Sequence, residues 1–499
     1  MIIDYLEKSF NNFKDKKAVI LESEHVTYGD MQKCVKIIAT NLIKYNKFNK
    51  PIAVYMDKGI STLEAFFGIL YSGNCYSLIN TEFPDNRIEQ IINTLETDII
   101  ISDSEHIEKI KSIIKDKEII DVSSLMKGSV NQSLLDNVRE KKCDIDPLYI
   151  NFTSGSTGVP KGVVVGNSSV VDFIEEFTSV FNITENDIIA NQAPFDFDVS
   201  VKDIYSSLLM GATLLIVPRS YFSSPVKLLD YLCDNKATTL IWAVSALCLI
   251  TTFHGLDYKT PESVNKVIFS GEVMPLKHLK QWISHLHHAT FVNVYGPTEI
   301  TCNCTYYIIN NDLDYEIIPI GKAFKNERVF LLDDNDELIT EKNKSGEICV
   351  SGRCLALGYF NNKTQTDTHF VQNPLNKNYI EMIYRTGDLG YIDNDDNFVF
   401  NGRKDFQIKY MGHRIELEEI DREISKLEEI KRSVTIFSEK KNKIICFYIG
   451  DIDSNEIVNK IKEFIPSYMV PSIFKKVDDF VLNKNGKVDR KILLESIEG

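Results

Sequence analysis

Short runs of β-branched and apolar residues recur along the first 400 positions, and longer stretches with helical apolar spacing follow them. Runs at 18–21 and 52–55 read as strands, and 61–71 reads as a helix. Further strand-like runs stand at 98–102, 213–217 and 266–270. Alternation of this kind predicts parallel sheets covered by helices, because a parallel connection needs a crossover long enough to hold a helix. Runs near 329–332 and 347–351 are separated by turns instead, which predicts a smaller β-rich subdomain. Past Gly402 the pattern changes: 416–427 reads as an amphipathic helix, 433–437 and 443–449 as strands, and 457–464 as another helix. The expected fold is α/β. A large N-terminal domain of parallel and mixed sheets with helices and a β-rich subdomain spans 1–404, and a small mobile α+β C-terminal domain spans 405–499.

Composition narrows the class. With 499 residues, 43% of them hydrophobic and 25% charged, the chain has apolar material for more than one core and is not a disordered polymer. A formal net charge of -15 argues against nucleic-acid binding, which needs a basic surface. The ten cysteines show no CxxC pair and read as small buried hydrophobes of a reduced protein, the nearest to a metal half-site being Cys302 and Cys304. The amphipathic, early-acidic start MIIDYLEKSFNNF does not read as a signal peptide, and the longest apolar run, 240–250, is too short to span a membrane. A cytoplasmic protein with no membrane insertion is expected. The HLHH run with His285, His287 and His288 reads as the solvated surface of a helix, and Lys109, Lys111, Lys115 and Lys117, mixed with acids, as an exposed helix.

The chemistry is carried first by TSGSTGVPKG at 153–162, directly after a strand-like run at 148–152. Thr153, Ser154, Gly155, Ser156, Thr157, Gly158 and Lys161 combine glycines, which let backbone N–H groups converge on phosphate oxygens, with hydroxyl donors and one cation. Walker A spacing is absent: Pro160 precedes the lysine, Gly162 follows it, and the next residues, 163–165, are β-branched.

This loop resembles the signature of the adenylate-forming superfamily, which includes acyl-CoA synthetases, luciferases and the adenylation domains of nonribosomal peptide synthetases. Five further strings resemble that family's motifs in the same order: NVYGPTEIT at 293–301, GEICVSGRCLALGY at 346–359, YRTGDLG at 384–390, GRKDFQIKYMGHRIELEEID at 402–421 and NKNGKVDRK at 483–491. The resemblance implies ATP and Mg²⁺ as cofactors and assigns roles by position. Tyr295, with Asn293 and Gly296 beside it, would stack on adenine, and the backbone of Gly271 and Glu272 would cover the base. Asp388 would accept the ribose hydroxyls with Arg403 in support, Thr298 would bond phosphate, and Glu299 would hold Mg²⁺. Lys487 would bridge the substrate carboxylate and the α-phosphate as the principal catalytic residue. Asp405 would be the hinge about which the small domain turns, bringing the loop at Gly412 to the acyl-adenylate.

In amino-acid-activating members an aspartate at the position of Asp198 pairs with the substrate's ammonium. FDFDVSVKD at 195–203 therefore points to an amino acid, while the bland alternative is that Asp198 caps a helix starting near Ser200. Val199, Lys202, Trp242, Ile268, Ser270, Val294, Cys302 and Asn303 would line the substrate pocket by the same resemblance. FDFDVSV, the GRxDFQIK pattern and ELEEI resemble the D-alanine–carrier protein ligases most, with Lys202 and Ser270 departing from their pattern. A Lys202 turned into the pocket calls for an acidic partner; the alternative is that it snorkels to solvent. The implied acceptor is the phosphopantetheine thiol of a separate carrier protein, since no carrier module is recognised at either end. The competing readings are an acyl- or aryl-CoA ligase of the same fold and a catalytically silent scaffold.

Overall fold

The computed structural model describes residues 1–155, 160–481 and 488–498. By backbone proximity these fall into two compact units: Met1–Asn80, Leu95–Asn151 and Gly162–Lys404 in the first, and Thr81–Thr94, Phe152–Lys161 and Asp405–Gly499 in the second. The second therefore gathers two short upstream segments besides the C-terminal stretch, where the sequence pattern suggests one contiguous block.

The first unit is built on the expected parallel sheets. In the nine-stranded sheet, six neighbouring strands run parallel in the order Thr290–Tyr295, Lys266–Ser270, Thr239–Ala243, Ile188–Asn191, Thr213–Ile216 and Lys17–Leu21. Thr305–Ile308 and Lys322–Ala323 extend one edge antiparallel, and Glu24–Thr27 closes the other. A second sheet of seven strands centres on Cys75–Leu78, Pro51–Tyr55 and Ile99–Ser102, again parallel. The helix Ile60–Tyr71 is apolar on nearly every side because ten of its twelve residues are buried. The third sheet, antiparallel, contains Glu327–Leu332, Gly346–Gly352 and Met382–Ile392, and is the β-rich subdomain.

Strand alternation divides the nine-stranded sheet into two faces with separate cores. Ile241, Ile268, Val292 and Val294 belong to the larger core, and Leu240, Trp242, Phe269 and Phe291 to the other. In the second unit, Ile430–Ser438, Lys443–Gly450 and Ile473–Lys476 form a three-stranded sheet with helices Leu417–Ile424, Ser454–Ile461 and Arg490–Glu498. Ile420, Ile424, Ile457 and Ile461 fill one side of it, so both expected helices exist, each ending three residues earlier than the apolar spacing suggests. The helix Leu276–His285 stops at His285, which leaves His287 and His288 beyond it rather than on its surface. Similarly, Ile107–Ile113 carries Lys109 and Lys111, while Lys115 and Lys117 follow it. Among the described residues, no helix is long and apolar enough to cross a membrane.

Candidate active site

Two clusters in the first unit carry most of the chemistry that the motifs suggest. The first forms where the strands Thr290–Tyr295 and Met382–Ile392 end in or contain motif residues. Asp388 is 1% exposed, and both of its carboxylate oxygens are engaged: Oδ2 accepts from the Tyr295 hydroxyl at 2.5 Å, and Oδ1 pairs with the Arg403 guanidinium. Thr386 locks the arrangement, its hydroxyl accepting from the Asp388 N–H (2.9 Å) and its carbonyl from Arg403 (3.3 Å). Burial, with the Asp388 charge adding to it, pushes the Tyr295 phenol well above its usual range, so it remains a donor. Asn293 anchors the strand below by donating to the Pro319 carbonyl at 2.8 Å. Gly271 and Glu272 follow the neighbouring strand Lys266–Ser270 in a bend.

After Tyr295 the chain turns sharply. A Cβ on Gly296 would stand 2.5 Å from the Asn303 Cα, so only glycine permits this approach. The 3₁₀ turn Thr298–Ile300 buries Thr298 and Glu299, and the Tyr359 hydroxyl donates to Glu299 Oε1 at 2.7 Å. Thr301 and Cys302 then adopt φ of 53° and 74°. A left-handed β-branched residue costs on the order of 1–3 kcal/mol and persists only where its surroundings enforce it. Here the Thr301 hydroxyl is tied to the Cys354 carbonyl at 2.7 Å, and the strained pair delivers Cys302 and Asn303 to the second cluster.

That cluster is organised by the helix Val199–Met210. Asp198 occupies its N-cap position with φ -60° and ψ -24°, yet its side chain caps nothing, which removes the bland explanation for a buried carboxylate there. The Cys302 thiol donates to the Asp198 carbonyl at 3.2 Å. One turn on, Lys202 is 1% exposed and donates to Ser270 Oγ at 3.2 Å and Asn303 Oδ1 at 2.8 Å. The snorkelling alternative for Lys202 is thus corrected: the helix face that bears it is wholly covered, and its stem cannot reach water. Burial pushes its ammonium down, with Cys302, Asp198 and Asp203 working against that shift. Asp203 turns elsewhere, accepting from Asn191 Nδ2 at 2.6 Å, and burial raises its carboxyl to about 8.

Of the remaining pocket candidates, Ile268, Val294 and Cys302 share the larger core, and Val199 is buried at the helix start. Trp242 does not join them. It points to the opposite face of the sheet, its indole N–H bonded to the Ala190 carbonyl at 2.7 Å and its ring edge-on to Phe222.

In the second unit, Thr153 ends the strand Pro147–Thr153, and the Ser154 hydroxyl donates to the Arg414 carbonyl at 2.7 Å. Lys161 is buried with its ammonium 3.9 Å from Glu416. Gly155 is described, but Ser156, Thr157 and Gly158 lie outside the described residues, as does Lys487. Asp405 accepts from the Gln407 N–H at 3.2 Å. Met411 and Gly412, both left-handed, make the two-residue turn of the hairpin Gln407–Tyr410 and His413–Glu416. Sequence reasoning missed Thr386 and Tyr359 as supports of Asp388 and Glu299. Both stand inside motif strings, and a search for donors around each carboxylate would have singled them out.

A family model described as AMP-binding enzyme matches residues 6–360. Bacitracin synthase 1 of Bacillus licheniformis is 30% identical over 488 residues, which cover 96% of this chain but 9% of that protein. The chain thus spans less than a tenth of that relative's length. The Vibrio cholerae adenylation domain AlmE, solved with glycyl-adenosine-5'-phosphate, superposes with a TM-score of 0.88 at 22% identity, covering 100% of this chain and 97% of that one. The o-succinylbenzoate CoA synthetase of Bacillus subtilis, solved with a product analogue, gives 0.85 at 19% identity and 98% coverage of each chain. At these identities the two structural likenesses are likenesses of fold.

Proposed function

This chain belongs to the AMP-binding, adenylate-forming enzyme family, and on that premise we propose that it activates the carboxylate of an amino acid with ATP and passes it to the phosphopantetheine thiol of a separate carrier protein. In the first half-reaction a carboxylate oxygen bonds the α-phosphorus while the bond to pyrophosphate breaks. In the second, the thiol sulfur bonds the acyl carbon and AMP leaves. The observation that supports the amino-acid reading is Asp198, a buried carboxylate at a helix start that does no capping. An ammonium held there gains a charge-assisted partner, and without one its burial would cost several kcal/mol.

The nucleotide side follows from the first cluster. A carboxylate has about four lone-pair sites, so Asp388 can accept ribose hydroxyls while Tyr295 and Arg403 hold it in place. Glu299 fits a hard cation, being an oxygen donor oriented by the Tyr359 hydroxyl, and would hold Mg²⁺. A Mg²⁺ held there would supply charge neutralisation to the phosphates. Lys487 is assigned to the charge that builds at the α-phosphorus, and the 405–499 segment to the mobile domain that carries it.

One observation favours a second reading. Lys202 stands one helical turn from Asp198, so the two charges would offset each other if no ammonium entered, as a CoA ligase for an uncharged acid would require. ATP–pyrophosphate exchange over D- and L-amino acids, fatty acids and aryl acids separates the two. The amino-acid reading expects exchange with an amino acid and only background with the others; exchange driven by a fatty or aryl acid alone establishes the CoA-ligase reading instead.

A further inference from the structure

We infer that the preferred substrate is an amino acid with an acidic side chain, whose second carboxylate is bound by Lys202; the inference rests on the amino-acid reading above. The geometry points to it through an unfinished set of hydrogen bonds. A lysine ammonium has three donors in a tetrahedral array. Among the described residues two of them meet oxygen, at Ser270 and Asn303, and both acceptors are neutral. Lys202 as a whole is 1% exposed, so water is not a ready third partner. Burying a cation with neutral partners alone is costly, and proteins retain such an arrangement where an anion completes it.

Neither nearby carboxylate hydrogen-bonds the Lys202 ammonium: the Asp203 Oδ1 is buried without a hydrogen-bond partner among the described residues, and its Oδ2 faces Asn191. Asp203, adjacent on the same helix, accepts from Asn191, whose own Oδ1 accepts from Lys58 at 3.3 Å. That chain ties Asp203 to Lys58 through one amide. Asp198, in the reading adopted here, receives the substrate's ammonium. Once it does, Lys202 is the cation without an anion, and a side-chain carboxylate restores the balance. The positioning is also rigid. Ser270 ends a parallel strand of the nine-stranded sheet, and Asn303 is fixed by the strained Thr301–Cys302 turn, so the Lys202 ammonium is aimed before substrate arrives. Asp198 and Lys202, four residues apart on one helix face, would grip the two charged ends of the same small molecule.

The test compares aspartate and glutamate with asparagine, glutamine, alanine and the amine-free succinate and glutarate in ATP–pyrophosphate exchange by the full chain. The expected result is a kcat/KM for one of the acids above that of its amide by about 100-fold or more, because the amide can accept a hydrogen bond but brings no charge to balance the buried ammonium. A Lys202→Met variant should lower kcat/KM for the acid by about 100-fold or more, so that its advantage over the amide is lost. Preference for an uncharged amino acid, or an acid preference that survives Lys202→Met, overturns this inference and leaves the amino-acid reading standing. Exchange confined to acids that lack an amine overturns both. If Lys202→Met does not fold, the wild-type panel still decides.

Discussion

The clusters around Asp388 and around Lys202 are both buried and both charged, but they are finished to different degrees. Around Asp388 each carboxylate oxygen has a donor, the charge is met by Arg403, and Thr386 braces the whole. Around Lys202, among the described residues, a buried cation has two neutral acceptors and a donor to spare. On the proposed function, the first is a preformed receptor for the nucleotide. On the further inference, the second is completed by the acidic side chain of its substrate. Self-sufficiency marks the common chemistry, and deficit marks the choice of acid.

The sharpest way to break this contrast is to remove a residue assigned to the shared chemistry. Lys487→Ala is expected to lower pyrophosphate exchange by about 100- to 1,000-fold with ATP binding retained, as measured by exchange and by nucleotide titration. Near-normal exchange would show that the shared chemistry lies elsewhere. Asp388→Asn comes next. It removes the carboxylate charge that faces the half-buried Arg403 guanidinium, a loss of up to about 3–5 kcal/mol, the value for breaking a fully buried pair. Both a lower Tm and a raised KM for ATP should follow, and a variant that kept its Tm would mean that the cluster is less self-sufficient than its geometry implies.

Tyr359→Phe deletes one hydrogen bond to the Glu299 carboxylate and should cost about 1.5–3 kcal/mol, read as a higher Mg²⁺ requirement for exchange. Trp242→Phe should be the mildest. It loses the bond to the Ala190 carbonyl and some packing, lowering Tm slightly, yet leaves the order of preferred acids unchanged because the ring lies on the other face of the sheet. A change in that order would place Trp242 with the acid-selecting residues after all.

Much of this was legible in the residues, for physical reasons that differ from place to place. The parallel strands at 52–55 and 266–270 announced themselves because strands buried on both faces must be continuously apolar. The strand after the phosphate loop was readable from three successive valines, and Lys161–Gly166 is indeed extended. Tyr295, Asp388 and Arg403 were found by motif order, and their mutual contact is a matter of folding that no spacing reveals, since they lie on strands 93 and 15 residues apart.

The misreadings have causes too. Resemblance groups Trp242 with Ile268, whereas strand alternation sends Ile241 and Trp242 to opposite faces, and only the register with Phe269 shows which is which. Lys202 stood between two alternatives because a lysine on a helix can turn its stem toward solvent. The choice was made by residues about 70 and 100 positions away that cover it. The upstream segments of the second unit were not foreseen, because nothing local in 81–94 signals which part of the chain it joins.

The account rests centrally on Asp198 receiving an ammonium. The most direct measurement is ATP–pyrophosphate exchange with the preferred amino acid and with the same acid lacking its α-amino group. The account predicts that losing the amine lowers kcat/KM by about 100-fold or more, since the charge-assisted bond between the ammonium and the buried carboxylate is then not formed. Equal or faster exchange with the amine-free acid would contradict it.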